Sequence, residues 1–158
     1  MDWGGWAVFG LLATAALTVV LMSAQLSGLT RMDLPLMLGT LFAADPDRAR
    51  VYGFFIHLLN GQVFALFYAA TFALLGRASV ALGAELGLLH AAVALTILVP
   101  LLPGVHPRMA SSRAGPSTAG PRLEAPGLLG RNYGRETVIV TVMAHVAYGA
   151  VLGLLLRP

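Results

Sequence analysis

Apolar positions fall into four long uninterrupted runs, at about residues 6–26, 51–75, 80–102 and 137–156, and polar positions gather between them. A helix of roughly 20 residues crosses a hydrocarbon core of ~30 Å, so each run is long enough to span a bilayer. None carries a charge at its centre, and Glu85, close to one end of the third run, is the only acidic side chain inside a span. The pattern predicts an all-α integral membrane protein, a four-helix bundle forming a single membrane domain. The first run differs from a cleavable signal. It opens Met1-Asp2-Trp3-Gly4-Gly5 with no basic side chain, and its apolar stretch is too long. It reads as a retained helix with Trp3 and Trp6 in the interfacial aromatic belt.

The connections differ in kind. In the first, Asp33-Leu34-Pro35 is a helix start, with Asp33 as cap and Pro35 in the first turn. Leu34, Leu36, Met37, Leu38, Leu41 and Phe42 supply the apolar surface of a short interfacial helix. Asp45-Pro46-Asp47 then stops it and offers a cap to the next element. The second connection is the tight turn Gly76-Arg77-Ala78-Ser79, which predicts that spans two and three are antiparallel neighbours. The third, residues 103–136, is rich in Pro, Gly, Ser and Arg, and its middle, 110–120, is expected to be disordered. Its two ends, Pro103-Gly104-Val105-His106-Pro107-Arg108-Met109 on one side and Leu123-Glu124-Ala125-Pro126-Gly127 with Arg131-Asn132-Tyr133-Gly134-Arg135-Glu136 on the other, look more specified. No internal repeat argues for an inverted-repeat transporter.

Composition agrees with the pattern: 58% of the 158 residues are hydrophobic and only 11% charged, against about a quarter charged in soluble domains. The net charge of +3 comes from ten basic residues, all arginine, and their distribution explains them better than nucleic-acid binding does. Arg31, Arg48 and Arg50 lie between spans one and two; Arg108, Arg113, Arg122, Arg131 and Arg135 lie between three and four; the other side has Arg77 and Arg157. The positive-inside rule therefore puts loops 31–50 and 103–136 in the cytoplasm and both termini outside a bacterial inner membrane. The absence of cysteine excludes disulfides, thiolate metal sites and cysteine nucleophiles.

Two groups of residues invite a closer reading. Gly83-x-x-x-Gly87 and Gly149-x-x-x-Gly153 have the spacing that lets helices approach closely in lipid, and Gly53, His57 and Gly61 form one stripe of span two. The histidines are the sharper feature. His90 and His145 lie about nine or ten residues into their spans, which at 1.5 Å per residue sets both near mid-bilayer at similar depth. His57 lies shallower, with Asn60 and Tyr68 on or near its face. One reading makes the imidazoles interhelical hydrogen-bonding groups, meeting Asn60, Gln62, Thr141 or Tyr148. The other makes His90 and His145 axial ligands of a haem b, or makes several histidines, His57 and His106 among them, ligands of a metal ion. Glu85 suggests a proton relay, but it stands five residues from His90 and does not share its face. His106, Glu124 and the loop arginines are read either as an anion, metal or partner site or as anchors to lipid headgroups. No Ser-His-Asp arrangement, phosphate-cradling glycine loop or His-Glu-x-x-His motif is present in the sequence, so there is no enzyme signature.

The run Asp33-Leu34-Pro35-Leu36-Met37-Leu38-Gly39-Thr40, then Gly53, His57, Gly61 and Tyr68, then Gly83-Ala84-Glu85-Leu86-Gly87 and His90, resembles a group of small uncharacterised bacterial four-helix membrane proteins. The resemblance covers about residues 10–103. It implies the four-span topology and carries no activity with it. The expectation for function is a non-enzymatic subunit or accessory protein acting through helix and lipid contacts, with a membrane-protein partner or a second copy. A haem- or metal-binding redox protein is the alternative, and a small transporter or proton-conducting unit a third.

Overall fold

The computed structural model describes residues 3–111 and 123–158. Four helices are long and apolar enough to cross a membrane: Trp3–Leu26, Pro46–Leu75, Val80–Val105 and Thr137–Leu155. Among the described residues there is no strand, only a single bridge between Met109 and Leu123. The flanks of the bundle expose Leu11, Val19, Phe55, Phe67, Leu89 and Leu154, an apolar surface far too extensive for water and suited to lipid. The expected disorder over 110–120 falls mostly on residues 112–122, outside the described residues.

The first span is α1 (Trp3–Leu26) and the short helix after it is α2 (Leu34–Gly39). Asp33 caps α2 through Oδ1, which accepts from Leu36 N at 2.9 Å, while its Oδ2 pairs with Arg50 Nε at 3.0 Å. One carboxylate thus starts α2 and fastens it to the next helix. That helix, α3 (Pro46–Leu75), starts five residues earlier than the apolar run. Asp45 caps it, accepting from Arg48 N at 2.9 Å, and Pro46 pre-sets the first turn. It ends at Gly76, whose φ of 62° closes the turn in the left-handed region.

The third span is broken. It runs as α4 (Val80–Val93), opens into a π-helical turn at Ala94–Leu98, and resumes as α5 (Val99–Val105). In that turn the Val99 N–H bonds to the Ala94 carbonyl, five residues back. Pro100 accounts for it. Proline brings no N–H for the Thr96 carbonyl and its ring crowds that oxygen, so the preceding turn widens. The fourth span is α6 (Thr137–Leu155).

Pairing follows the small residues. α4 lies antiparallel on α6, and a Cβ added at Gly83 or Gly149 would strike the other's carbonyl; one added at Gly87 would strike the carbonyl of His145. α6 also packs on α1, and α1 on α3. The tight turn leaves spans two and three antiparallel, as expected, but they meet mainly through side chains. α3 and α4 barely touch along their backbones, because α4 turns its glycine face to α6. The gap to α3 is bridged by rings: Phe64 on His90 at 4.0 Å between centroids, and Tyr68 near His90 at 6.1 Å.

One end of the bundle is capped by α2 and by residues 123–136, where a 3₁₀ turn, Leu128–Tyr133, precedes α6. Arg31 organises it. Its guanidinium pairs with Glu124 at 2.9 Å and bonds to the Asn132 carbonyl, and its backbone N–H donates to the Tyr133 carbonyl at 2.7 Å. Beneath, Tyr133 Oη donates to the Glu124 carbonyl at 2.6 Å, and Thr30 and Thr137 share a buried hydroxyl bond of 2.7 Å.

Candidate functional site

The gap between α3 and the broken third span opens inward as a cavity of about 230 Å³. Its walls are mostly apolar, from Leu17 and Leu21 of α1, Met37 of α2, and Ala94 and Leu98 of the π turn. Its polar side chains are Thr14, whose hydroxyl donates to the Gly10 carbonyl at 2.7 Å, His57, His90, Thr141, His145, Tyr148 and, at the rim, Asn60. Asn60 and Leu98 are exposed on the flank of the bundle, so the cavity opens sideways. A second depression of about 300 Å³ continues along the same gap towards the Gly76 turn, and Phe64 and His90 line both. The stacked pair is therefore the waist between two lateral hollows.

Each polar side chain is held in its own way, and the hydrogen bonds fix what it offers. Tyr148, 1% exposed, donates its hydroxyl to the Gly61 carbonyl at 2.5 Å and ties α6 to α3. His145 Nδ1 lies 2.8 Å from the Thr141 carbonyl. A carbonyl only accepts, so Nδ1 carries the proton and the neutral ring keeps a bare lone pair at Nε2. His57 Nε2 lies 3.1 Å from Thr18 Oγ1, whose own proton goes to the Thr14 carbonyl at 2.7 Å. The Thr18 oxygen must then accept, His57 donates from Nε2, and the lone pair of His57 is at Nδ1. Among the described residues neither Nε2 of His145 nor Nδ1 of His57 has a protein partner. Thr141 is 4% exposed and its Oγ1 is buried with none. Leaving such a hydroxyl unpaired costs about 1–3 kcal/mol, which a molecule in the cavity would recover. Gln62 Oε1 is also buried and unpaired but does not line the cavity.

His90 and His145 do meet, with ring centroids 4.5 Å apart and ring planes at 79°. That contact does not fit a haem held between them. Two axial imidazoles bind one iron from opposite faces of a flat macrocycle, and rings that touch edge to face leave no slot for the plate. A metal held by His57 and His106 does not fit either. His106 belongs to the cap, where Nε2 donates to the Met37 carbonyl at 3.0 Å and Nδ1 accepts from Arg108 N at 3.1 Å. With both nitrogens engaged, His106 is a structural knot. No group of three or more His, Cys, Asp or Glu among the described residues is arranged to hold a metal ion. Glu85 is exposed on the flank of α4, away from the cavity. Gly87 lies against α6, so both Gly87 and Gly149 position His90 and His145 without facing the cavity.

Two participants have no signal in the apolar pattern. Phe64 reads as an ordinary core or lipid-facing ring, and Thr18 as an ordinary helix residue. The π turn has one signal, Pro100 inside an otherwise unbroken run. No family model, curated protein or solved structure matches this chain.

Proposed function

We propose that this chain is a non-enzymatic protein of a bacterial inner membrane, with its capped end in the cytoplasm and both termini outside, and that it works by receiving a molecule dissolved in the bilayer. The observation that carries this reading is the sideways opening of the cavity between α3 and the π turn, with polar side chains at its floor. Ligand sites are typically apolar hollows with a few placed polar groups. A soluble ligand would enter from an end of a bundle, whereas a lipid-phase ligand enters from the flank. The outward face of α4, with Leu88 and Leu89 exposed, leaves room for a second copy or a partner subunit that senses occupancy.

Native mass spectrometry of the protein released from lipid nanodiscs tests the reading. A bound bilayer component is expected on the unmodified protein and lost in Ala94→Trp, which fills the cavity from the π turn. Retention of the same adduct by that variant, with its fold intact, would overturn the lateral site. The haem or metal alternative is tested on the same sample. A Soret band, or a stoichiometric metal, would replace the proposed reading.

A further inference from the structure

We infer that the molecule received presents a hydroxyl group, as an alcohol or phenol on an apolar body, to His57, His145 and Thr141. The inference rests on the lateral-cavity reading and adds the chemistry of the head. Three of the cavity's groups without a protein partner among the described residues set the chemistry of the head, and two of these are acceptors; His90, with Nδ1 3.4 Å from Tyr68 Oη, and Asn60 at the rim also line the cavity. The His145 Nδ1 proton is committed to the Thr141 carbonyl and the His57 Nε2 proton to Thr18, so each ring can only accept at its remaining nitrogen. The third, Thr141 Oγ1, has one proton to give and no acceptor. A hydroxyl suits this set better than a pure acceptor does, because its one proton goes to one of the two imidazole lone pairs while its oxygen accepts from Thr141. A ketone, ether or ester can accept only, so it satisfies Thr141 and leaves both imidazole nitrogens bare.

Size and exit agree. An apolar cavity of about 150 Å³ accommodates benzene, so about 230 Å³ holds a six-membered ring with small substituents or the head of a long-chain alcohol. Any tail leaves through the lateral mouth at Asn60 and Leu98, on the near side of the Phe64–His90 contact. Tyr148 is already spent on Gly61 and does not compete for the head.

The test compares para-octylphenol with its methyl ether, para-octylanisole, on the protein in nanodiscs, read by thermal shift and by competition for the native adduct. The phenol is expected to bind roughly tenfold or more tightly than the ether, the discrimination that one or two unpaired buried groups impose. Thr141→Val, which keeps the side-chain shape, and His145→Phe should each reduce that preference while the ether still binds. Should either variant fail to fold, the comparison on the unmodified protein still decides. Dodecanol separates the sources: competition equal to that of the phenol marks an aliphatic alcohol, and much weaker competition marks an aromatic head. Equal binding of phenol and ether would overturn the hydroxyl inference and leave the lateral site standing. Binding of neither probe, with an adduct indifferent to Ala94→Trp, would overturn both, as would a density map with ordered water alone in the cavity.

Discussion

Tyr133 shows how much of this molecule depends on single polar atoms at the water-facing end. Its hydroxyl donates to Glu124 and its carbonyl receives the Arg31 N–H, so one residue joins the cap to the start of the first connection. Burial pushes the phenol up to about 12, the Glu124 carboxylate adds to the rise, and Arg31 opposes it. An unfolded tyrosine ionises near ~10. Below that pH both states hold the proton and the shift has no effect on stability. As pH rises from about 10 towards 12 the unfolded state releases its proton first, so docking of the cap weakens across that window. Melts followed by near-ultraviolet circular dichroism should therefore fall more steeply over about pH 10–12 for the unmodified protein than for Tyr133→Phe. At about pH 8 the variant should be the weaker of the two, by about 1 kcal/mol for the lost hydrogen bond. Parallel curves would mean that the hydroxyl is solvated and the cap open. His106 and Asp33 act on the same scale, each satisfying two partners with one side chain. The caps at Asp33 and Asp45 are legible in the sequence because a carboxylate followed closely by proline has few other uses. The engagement of both His106 nitrogens is not, since a lone histidine after a helix says nothing about what folds over it.

At the scale of elements, the helices themselves can be read from the chain, and their pairing only in part. The glycine spacings on spans three and four indicate close approach, and the two stripes do face each other. What the spacing does not say is that α4, by giving its glycine face to α6, leaves its connected neighbour α3 at a distance. Chain adjacency favours α3 and contact energy favours α6; the contact wins, because carbonyl-to-glycine approach maximises packing where no hydrophobic drive exists between helices in lipid. Gly149→Leu should therefore disrupt the α4–α6 seam, costing about 1–3 kcal/mol or more of bundle stability for the overpacking. Met143→Leu on the exposed face of the same helix should be close to neutral. Thermal melts in one detergent check the pair. Equal melting temperatures would mean that α4 does not rest on Gly149, and the gap that makes the cavity would lose its cause. The π turn has the same logic. Pro100 is visible in the sequence, but whether proline kinks, ends or widens a helix depends on the neighbours available to the freed carbonyl, which lie elsewhere in the chain.

The whole molecule is polarised along the direction in which its helices run. The end closed by α2 and residues 123–136 carries Arg31, Arg48, Arg50, Arg108, Arg131 and Arg135 among the described residues, and the end with the Gly76 turn and both termini carries Arg77 and Arg157. This asymmetry is legible in the sequence alone, because arginine near a span is counted by position and needs no partner. The candidate site is legible there only as three imidazoles at related depths. Its lateral mouth, its tautomers and the unpaired Thr141 hydroxyl depend on which faces turn inward, and that is decided by all four spans at once. Orientation connects the two. If the capped end is cytoplasmic, as proposed, the cavity would lie between α2 and mid-bilayer, with Met37 and Leu34 in its wall on the α2 side, and its ligand would enter from the cytoplasmic half of the bilayer. A reporter active only in the periplasm should therefore work when fused after Pro158 and fail when inserted near Ser117. An arginine on a short loop biases retention strongly, and the six against two leave little to oppose it. The opposite pattern of reporter activity would turn the molecule over. The cavity would then face the outer leaflet, and the lipids tested against it would have to be drawn from that side.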